Sequence, residues 1–382
     1  MKNDPWVLGR KEKVGYYKYR KNAKTGGERM RKGKRLIAWI MAVVMLFTIC
    51  VFGGNGTAEA AATTPVAKHG RLSVKGADLV DSKGNKFQLR GISTHGINWD
   101  VGLPYVNKKA FKTLRDDWGV NAIRLAMYTE EYNGYCSGGS QAKLRKLVDK
   151  GVGYATDLGM YAIIDWHILS DGNPNKNKSQ AKRFFTTMAK KYKNNKNVIY
   201  EICNEPNGCG WKEIKSYATD IIKTIRKYDK KAVIIVGTPT WSQLGTDGTS
   251  NEVADSPIKG YKNIMYSLHF YASEWAHNEY LPAKVAYARK KKLPIIVSEF
   301  GLSPASGDGA INKASADKWM KLLNKYNISY FCWSLSNKNE SASLLKPSTK
   351  KTSGWKSGDL STAGKYIKKK YLARKKALGK KA

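Results

Sequence analysis

Cysteine is scarce in this chain: five residues in 382, at positions 50, 136, 203, 209 and 332, and no C-x-x-C pair. That excludes paired-thiolate zinc modules and a small disulfide-stapled fold. Cys203 and Cys332 lie inside apolar runs and read as buried thiols. Cys136 and Cys209 sit in Gly-rich stretches, where an oxidising exterior would let them pair. Histidine is equally sparse, with five residues and no His-x-His pair. A barrel metallohydrolase is therefore disfavoured, and neither a metal nor a cofactor is expected. The chain also lacks an internal repeat, a Ser/Pro linker and a Gly-rich phosphate loop after its first strand candidate. A second linked module and a dinucleotide-binding fold are thereby set aside.

Acidic residues are few as well, 30 Asp+Glu against 68 Lys+Arg, for a formal charge of +38. Such a surplus favours polyanionic partners: an acidic cell wall, an anionic membrane or nucleic acid. Residues 365–382 hold nine Lys/Arg and no acid, a solvated helix end or a tether to an anionic wall or membrane. At the other end, a basic stretch (Arg29, Arg31, Lys32, Lys34, Arg35) leads into an uncharged apolar run from Leu36 to Gly54. Ala58-Glu59-Ala60 then offers a small-x-small cleavage pattern. The run is long enough to span a bilayer, but the Ala-rich segment after it favours a cleaved export signal. Either reading places residues 61 onward outside the cytoplasm, secreted or at the cell surface. Export in turn disfavours a specific nucleic-acid partner, although the charge would bind one nonspecifically.

What remains after residue 60 is regular. Residues 71–90 read as a short β-hairpin around the Ser82-Lys83-Gly84-Asn85 turn. Eight short apolar runs follow: Leu89–Thr94, Ala122–Met127, Ala162–His167, Val198–Asn204, Ala232–Gly237, Met265–Phe270, Ile295–Glu299 and Tyr330–Ser334. They alternate with amphipathic stretches such as Gln141–Leu158, Ser179–Tyr192, Ile214–Tyr228 and Ala314–Tyr326. Eight strand–helix alternations over about 300 residues point to an α/β fold, a (β/α)8 TIM barrel with a short N-terminal β-hairpin. The expected organisation is an export segment over 1–60, a linker over 61–69, one catalytic barrel over 70–368 and a basic tail over 369–382, acting as a monomer.

Polar residues gather where such a barrel carries its chemistry, at the C-terminal ends of the strands. His95 follows the first run, Arg124 lies in the second, and Asp165-Trp166-His167 closes the third. Asn204-Glu205-Pro206 closes the fourth, His269-Phe270-Tyr271 the sixth, Glu299-Phe300-Gly301 the seventh, and Trp333 lies in the eighth. A single glutamate at a strand end is commonly just a solvated carboxylate. Two of them three strand–helix units apart face each other across the barrel mouth, as cleavage of a glycosidic bond requires. One must hold a proton for the leaving oxygen, and the other must be ionised to attack the anomeric carbon.

The segments STHG at 93–96, IRLAMY at 123–128, IIDWHILSDGNPN at 163–175, VIYEICNEPNG at 198–208, GTPTWSQ at 237–243, SLHFYA at 267–272, VSEFG at 297–301 and WSLSNKNES at 333–341 together resemble glycoside hydrolase family 5, subfamily 2. This is the bacterial endo-β-1,4-glucanase (cellulase) group, and the resemblance covers roughly residues 70–368. It implies a retaining double displacement on a β-glucan, with Glu205 as acid/base and Glu299 as nucleophile. It further implies catalytic-site positions at His95, Arg124, Asn204, His269 and Tyr271. Substrate contacts are implied at Trp99, Tyr128, His167, Trp241, Trp333, Lys338 and Glu340. Aromatic faces among these suit the apolar faces of glucose rings, and the charged groups suit equatorial hydroxyls. Three positions depart from the family pattern: Asp100 after Trp99, Phe300 after the nucleophile and Cys203 before Asn204. They bear on substrate preference, so a related β-mannanase or mixed-linkage β-glucanase is the alternative within the class. A non-catalytic cationic surface protein that binds glycan is the alternative outside it.

Overall fold

A computed structural model describes residues 64–379, so the export segment expected over 1–60 lies outside the described residues. The chain enters through a short helix, Pro65–His69, whose Val66 N–H donates to Gly159 O at 2.9 Å. Next comes the hairpin, β1 (Ser73–Lys75) and β2 (Asp78–Val80), antiparallel. Its turn is Gly76-Ala77, with Gly76 at φ +60°, not the Ser82–Asn85 turn expected from sequence. The latter closes only a single Val80–Lys86 bridge. Asp81 Oδ1 holds it by accepting from the N–H groups of Lys83 and Asn85.

Eight parallel strands then close a barrel: β3 (Arg90–Thr94), β4 (Ala122–Tyr128), β5 (Tyr161–His167), β6 (Val198–Glu201), β7 (Ile234–Val236), β8 (Ile264–Tyr271), β9 (Ile295–Gly301) and β10 (Tyr330–Leu335). Every expected strand is present, and the fourth stops at Glu201, three residues before the expected Asn204. Helices Lys108–Trp118, Gln141–Asp157, Lys178–Tyr192, Trp211–Arg226, Trp275–Lys290, Lys313–Lys325 and Thr362–Gly379 surround the barrel. The helix Trp211–Arg226 shows why they form. Ile214, Tyr217, Ala218, Ile221, Ile222 and Ile225 recur at helical spacing and are all buried against the strands. Asn107, Ser140 and Asn312 cap three other helices by accepting a backbone N–H, each cap contributing about 1 kcal/mol. Between β7 and β8 occur only a tight turn at Pro239–Ser242 and one four-residue helix, Glu252–Asp255. That stretch is rich in Gly, Ser, Thr and Pro and has no apolar stripe long enough for a full helix.

Alternation along the strands divides the barrel interior into two layers. In β4, Ile123, Leu125 and Met127 face the helices, while Ala122, Arg124, Ala126 and Tyr128 face inward. The lower layer is apolar, with Ala122, Tyr161, Ile163, Ile199, Ile235, Met265, Ile296 and Phe331 packed together. Leu72, Leu79, Phe87 and Leu89 of the hairpin region cover it from below. The upper layer is polar and carries the site.

The last helix does not stop at residue 368. Tyr371 is buried with its hydroxyl donating to Gly91 O at 2.9 Å, and Arg374 Nε donates to Gln88 Oε1 at 2.8 Å. The expected boundary between barrel and basic tail therefore runs through a helix that packs on the first barrel strand. All four described cysteines are free, so Cys136 and Cys209 are unpaired here; Cys203 and Cys332 are buried as expected.

Candidate active site

Arg124 organises the upper layer from the centre of β4. It is fully buried, and each nitrogen is engaged. Nε donates to Glu201 Oε2 at 2.7 Å, Nη1 to Glu299 Oε2 at 3.0 Å, and Nη2 to Asn204 Oδ1 at 2.6 Å. Asp165 Oδ2 lies 3.0 Å from Nη2, and Ser93 Oγ lies 3.3 Å from Nη1. A rigid planar fork is what this requires, so lysine could not substitute here. Because Asn204 Oδ1 accepts from Arg124, its Nδ2 is turned to Ile168 O at 3.1 Å and to His167 Nε2 at 3.3 Å. His167 Nε2 is thus the acceptor, and its Nδ1 carries the proton that Asp165 Oδ2 receives at 2.5 Å.

Glu299 reaches the interior through an irregularity. Ser267 of β8 pairs with Ile296 of β9, but His269 pairs with Glu299, so β9 carries one extra residue. The same shift appears against β10, where Tyr330 pairs with Val297 and Cys332 with Phe300. Strict alternation from Ile296 through Ser298 would turn Glu299 toward the helices. The bulge turns it inward and sends Phe300 outward, onto Phe270 at 5.3 Å between ring centroids. Glu299 Oε1 then accepts from the Tyr271 hydroxyl at 2.7 Å, and Oε2 from Arg124.

Glu205 comes from the loop after β6. His269 Nδ1 lies 2.8 Å from Glu205 Oε1, and its Nε2 lies 2.9 Å from Ser298 Oγ, which itself contacts Ser267 Oγ. An oxygen of Glu205 and one of Glu299 lie within 4.8 Å of each other, with His269 in the same cluster. Such a group could hold a cation in outline, yet both nitrogens of His269 and both oxygens of Glu299 already have protein partners. His95, His167 and His269, the three histidines at strand ends, do not converge as ligands: His95 Nδ1 accepts from Gly96 N at 2.8 Å, and His167 is tied to Asp165.

Burial separates the charges. Desolvation pushes Glu205 up to about 8, against the pull of Arg124 and with help from Asp165 and Glu201. Glu299 is also raised, by desolvation and by Glu205, but Arg124 and Tyr271 both donate to it and favour its ionised form. Glu205 has only His269. Burial lowers His95 and His167 to about 3 and His269 to about 4, so all three are neutral at pH 7.

Around this centre stand the aromatic positions. Trp333 stacks on His167 at 5.3 Å and 15°, and Tyr128 packs on both His167 and Trp99. His95 lies between Trp99 and Trp333, and its Nε2 is 3.7 Å from Glu340 Oε1, which has no hydrogen-bond partner. Lys338 Nζ reaches Glu340 Oε2 at 2.5 Å. Trp99, Tyr128, His167, Trp333, Lys338 and Glu340, expected as substrate contacts, therefore share one wall with His95, expected as a catalytic-site position. Trp241 stands apart from them on the loop after β7, 44% exposed, within three successive non-glycine residues at positive φ (Thr240 56°, Trp241 52°, Ser242 63°). Strain of that kind persists where surrounding structure enforces it; here Trp241 N donates to Pro206 O and Ser242 Oγ to Asn204 O. Sequence reasoning missed Glu201, Ser267 and Ser298. The signal for Glu201 was available: a carboxylate inside the apolar run VIYEIC, in register with Asp165 on β5.

A model of the family "Cellulase (glycosyl hydrolase family 5)" matches residues 80–339. An endoglucanase from Clostridium saccharobutylicum is 47% identical over 341 residues, covering 88% of this chain and 72% of its own length. Endoglucanase A of Butyrivibrio fibrisolvens is 45% identical over 303 residues, 78% of this chain and 68% of its own. Among solved structures, the catalytic domain of Thermobifida fusca endoglucanase Cel5A in complex with cellotetraose superposes with a TM-score of 0.74 at 36% identity, covering 81% of this chain and 99% of that one.

Proposed function

This chain belongs to glycosyl hydrolase family 5, and from that premise we propose that it is an exported endo-β-1,4-glucanase that cuts internal bonds of cellulose and related β-glucans with retention of configuration. The observation that carries the chemistry is the separation of the two glutamates. Retaining glycosidases hold their carboxyls about 5 to 5.5 Å apart, and inverting ones leave about 6.5 to 9.5 Å for a water. One oxygen of each lies within 4.8 Å of the other, a spacing that supports the retaining arrangement.

Each residue then has a part. Glu299 attacks the anomeric carbon as Glu205 gives its proton to the departing glycosidic oxygen. The bond to the leaving sugar breaks, and a glycosyl–Glu299 ester forms. Glu205, now ionised, takes a proton from water, and that water displaces Glu299. Arg124 and Tyr271 keep the nucleophile charged and aimed between steps, since each holds one of its oxygens. His269 donates from Nδ1 to Glu205 Oε1 while Nε2 accepts from Ser298, which leaves Oε2 free to carry the travelling proton. Asn204, clamped by Arg124 and by Ile168 O, fixes the backbone from which Glu205 projects. The wall of Trp99, Tyr128 and Trp333 accepts glucose rings by stacking, and Trp241 stands ready on the opposite loop. Exit from the cytoplasm rests on the basic and apolar pattern of the first 60 residues.

Release of reducing ends from carboxymethylcellulose, barley β-glucan, glucomannan and xylan tests this reading. Activity is expected on the first two, with falling viscosity early in the reaction. No activity on either glucan would overturn it, and glucomannan preferred over both would assign the β-mannanase alternative.

A further inference from the structure

The two ends of the barrel carry opposite charge. The loops after the first seven barrel strands, 95–107, 129–140, 168–177, 202–210, 237–251, 272–274 and 302–312, hold eight acids and a single base, Lys176. The eighth, 336–361, adds two acids and five lysines. At the far end, the hairpin region 70–89 and the loops 193–197, 227–233, 256–263 and 291–294 hold thirteen Lys/Arg and three acids. The seven long helices between the ends hold 31 Lys/Arg against eight acids, so the basic surface runs over the flanks as well and spares the catalytic mouth. Between the hairpin region and the loops 193–197 and 227–233 lies a cleft of about 540 Å³ flanked by Arg71, Lys193, Lys196, Lys230 and Lys231, with Asp229 the one acid. Arg71 Nη1 there has no hydrogen-bond partner; its nearest carboxylate oxygen, on Asp229, is 3.9 Å away.

We propose that this pole is a binding surface for a linear phosphate polyanion, seated in the cleft beside Arg71, which holds the enzyme with its catalytic mouth facing away. Three observations choose that partner. Twelve of the thirteen cations are lysines, flexible point charges suited to a diffuse anionic backbone and not to bidentate recognition of a planar carboxylate. Among the described residues, six of the seven exposed large hydrophobics (Leu103, Tyr132, Leu169, Trp241, Trp275 and Tyr280) belong to the catalytic end and the seventh, Leu372, stands alone, so the described surface of the basic pole offers a bilayer no apolar patch. Tyr228 is the one aromatic lining the cleft, too little to serve as a stacking platform for single-stranded bases. A phosphate chain without bases satisfies all three.

The test uses the full chain and long-chain inorganic polyphosphate, with binding measured over a range of salt. Two quadruple variants are compared: Lys193, Lys196, Lys230 and Lys231 changed to Gln, and, as a control of equal charge, Lys182, Lys212, Lys318 and Lys321 changed to Gln on the helices. All eight side chains are exposed, and hydrolysis of neutral barley β-glucan reports that both variants are folded. The pole variant is expected to bind at least tenfold more weakly, with the slope of log K against log salt reduced by about two to three. The control should change little, and bound polyphosphate should leave β-glucan hydrolysis intact. Equal loss in both variants would overturn the proposal, since net charge alone would then suffice. So would inhibition of hydrolysis by polyphosphate, or tighter binding to phosphatidylglycerol vesicles or single-stranded DNA at equal phosphate.

Discussion

The lower and upper layers of the barrel interior are built by the same strands, often by residues two apart. Ile163 and Asp165 on β5, Ile199 and Glu201 on β6, and Ala122 and Arg124 on β4 pair an apolar floor with a charged ceiling. The floor is stabilised chiefly by burial, on the order of 25 cal/mol per Å² of apolar surface. The ceiling holds one guanidinium among Asp165, Glu201 and Glu299, with Glu205 beside them, and would be unstable without that single cation. The lesson is a division of labour: floor residues fix the register that aims the ceiling, and ceiling residues spend stability on chemistry.

Substitutions in the two layers should therefore have separable effects. Glu299→Gln removes the nucleophile and should lower kcat on β-glucan by roughly ten-thousand-fold, with an unaltered fold by circular dichroism. Azide added to Glu299→Gly should restore turnover and yield a glycosyl azide of inverted configuration. Glu205→Ala should cost about 10² to 10⁴ on β-glucan but much less on aryl cellobiosides with good leaving groups, which need no proton. Equal losses on both substrates would mean that the two glutamates have been given the wrong roles. In the floor, Ile163→Ala should cost about 2 to 5 kcal/mol in denaturant unfolding while leaving kcat close to the parent value at low temperature. A large fall in kcat there would dissolve the division between layers.

Smaller effects sharpen the comparison inside the ceiling. Glu201→Gln keeps a partner for Arg124 Nε but removes an anion that helps raise Glu205. The alkaline limb of kcat/KM should move to lower pH, and activity should fall about tenfold through a looser Arg124. A limb that stayed in place would show that Glu201 is already uncharged. The smallest effect is on stability. Glu205 takes its proton near 8 when folded, against a usual carboxyl value of 4.5, so its contribution is present at low pH and is lost as pH rises toward 8. Glu205→Gln should therefore melt above the parent at pH 8, and the gap should narrow toward pH 5.

Much of this was legible in the sequence. The eight strands, the hairpin and the convergence of Arg124, Asn204, Glu205, His269, Tyr271 and Glu299 followed from apolar periodicity, from polar residues at strand ends and from the family resemblance. What escaped was geometry that depends on neighbours. Alternation alone points Glu299 toward the helices, and only pairing against β8 and β10 reveals the bulge that turns it inward. Glu201 went unremarked inside an apolar run, because its meaning lies in Arg124, 77 residues earlier in the chain. The hairpin turn was misplaced because Ser82–Asn85 has strong turn chemistry of its own, supplied by Asp81, and the tighter Gly76-Ala77 turn lies just before it.

The central claim is that Glu205 and Glu299, close enough to serve as a retaining pair, act through a covalent glycosyl–Glu299 intermediate. Proton NMR of a cellooligosaccharide digest, recorded within minutes of adding enzyme, reads this through the configuration of the first reducing ends formed. The account predicts the β-anomer first, with the α-anomer growing in only by mutarotation. An α-anomer at the earliest time points would contradict it.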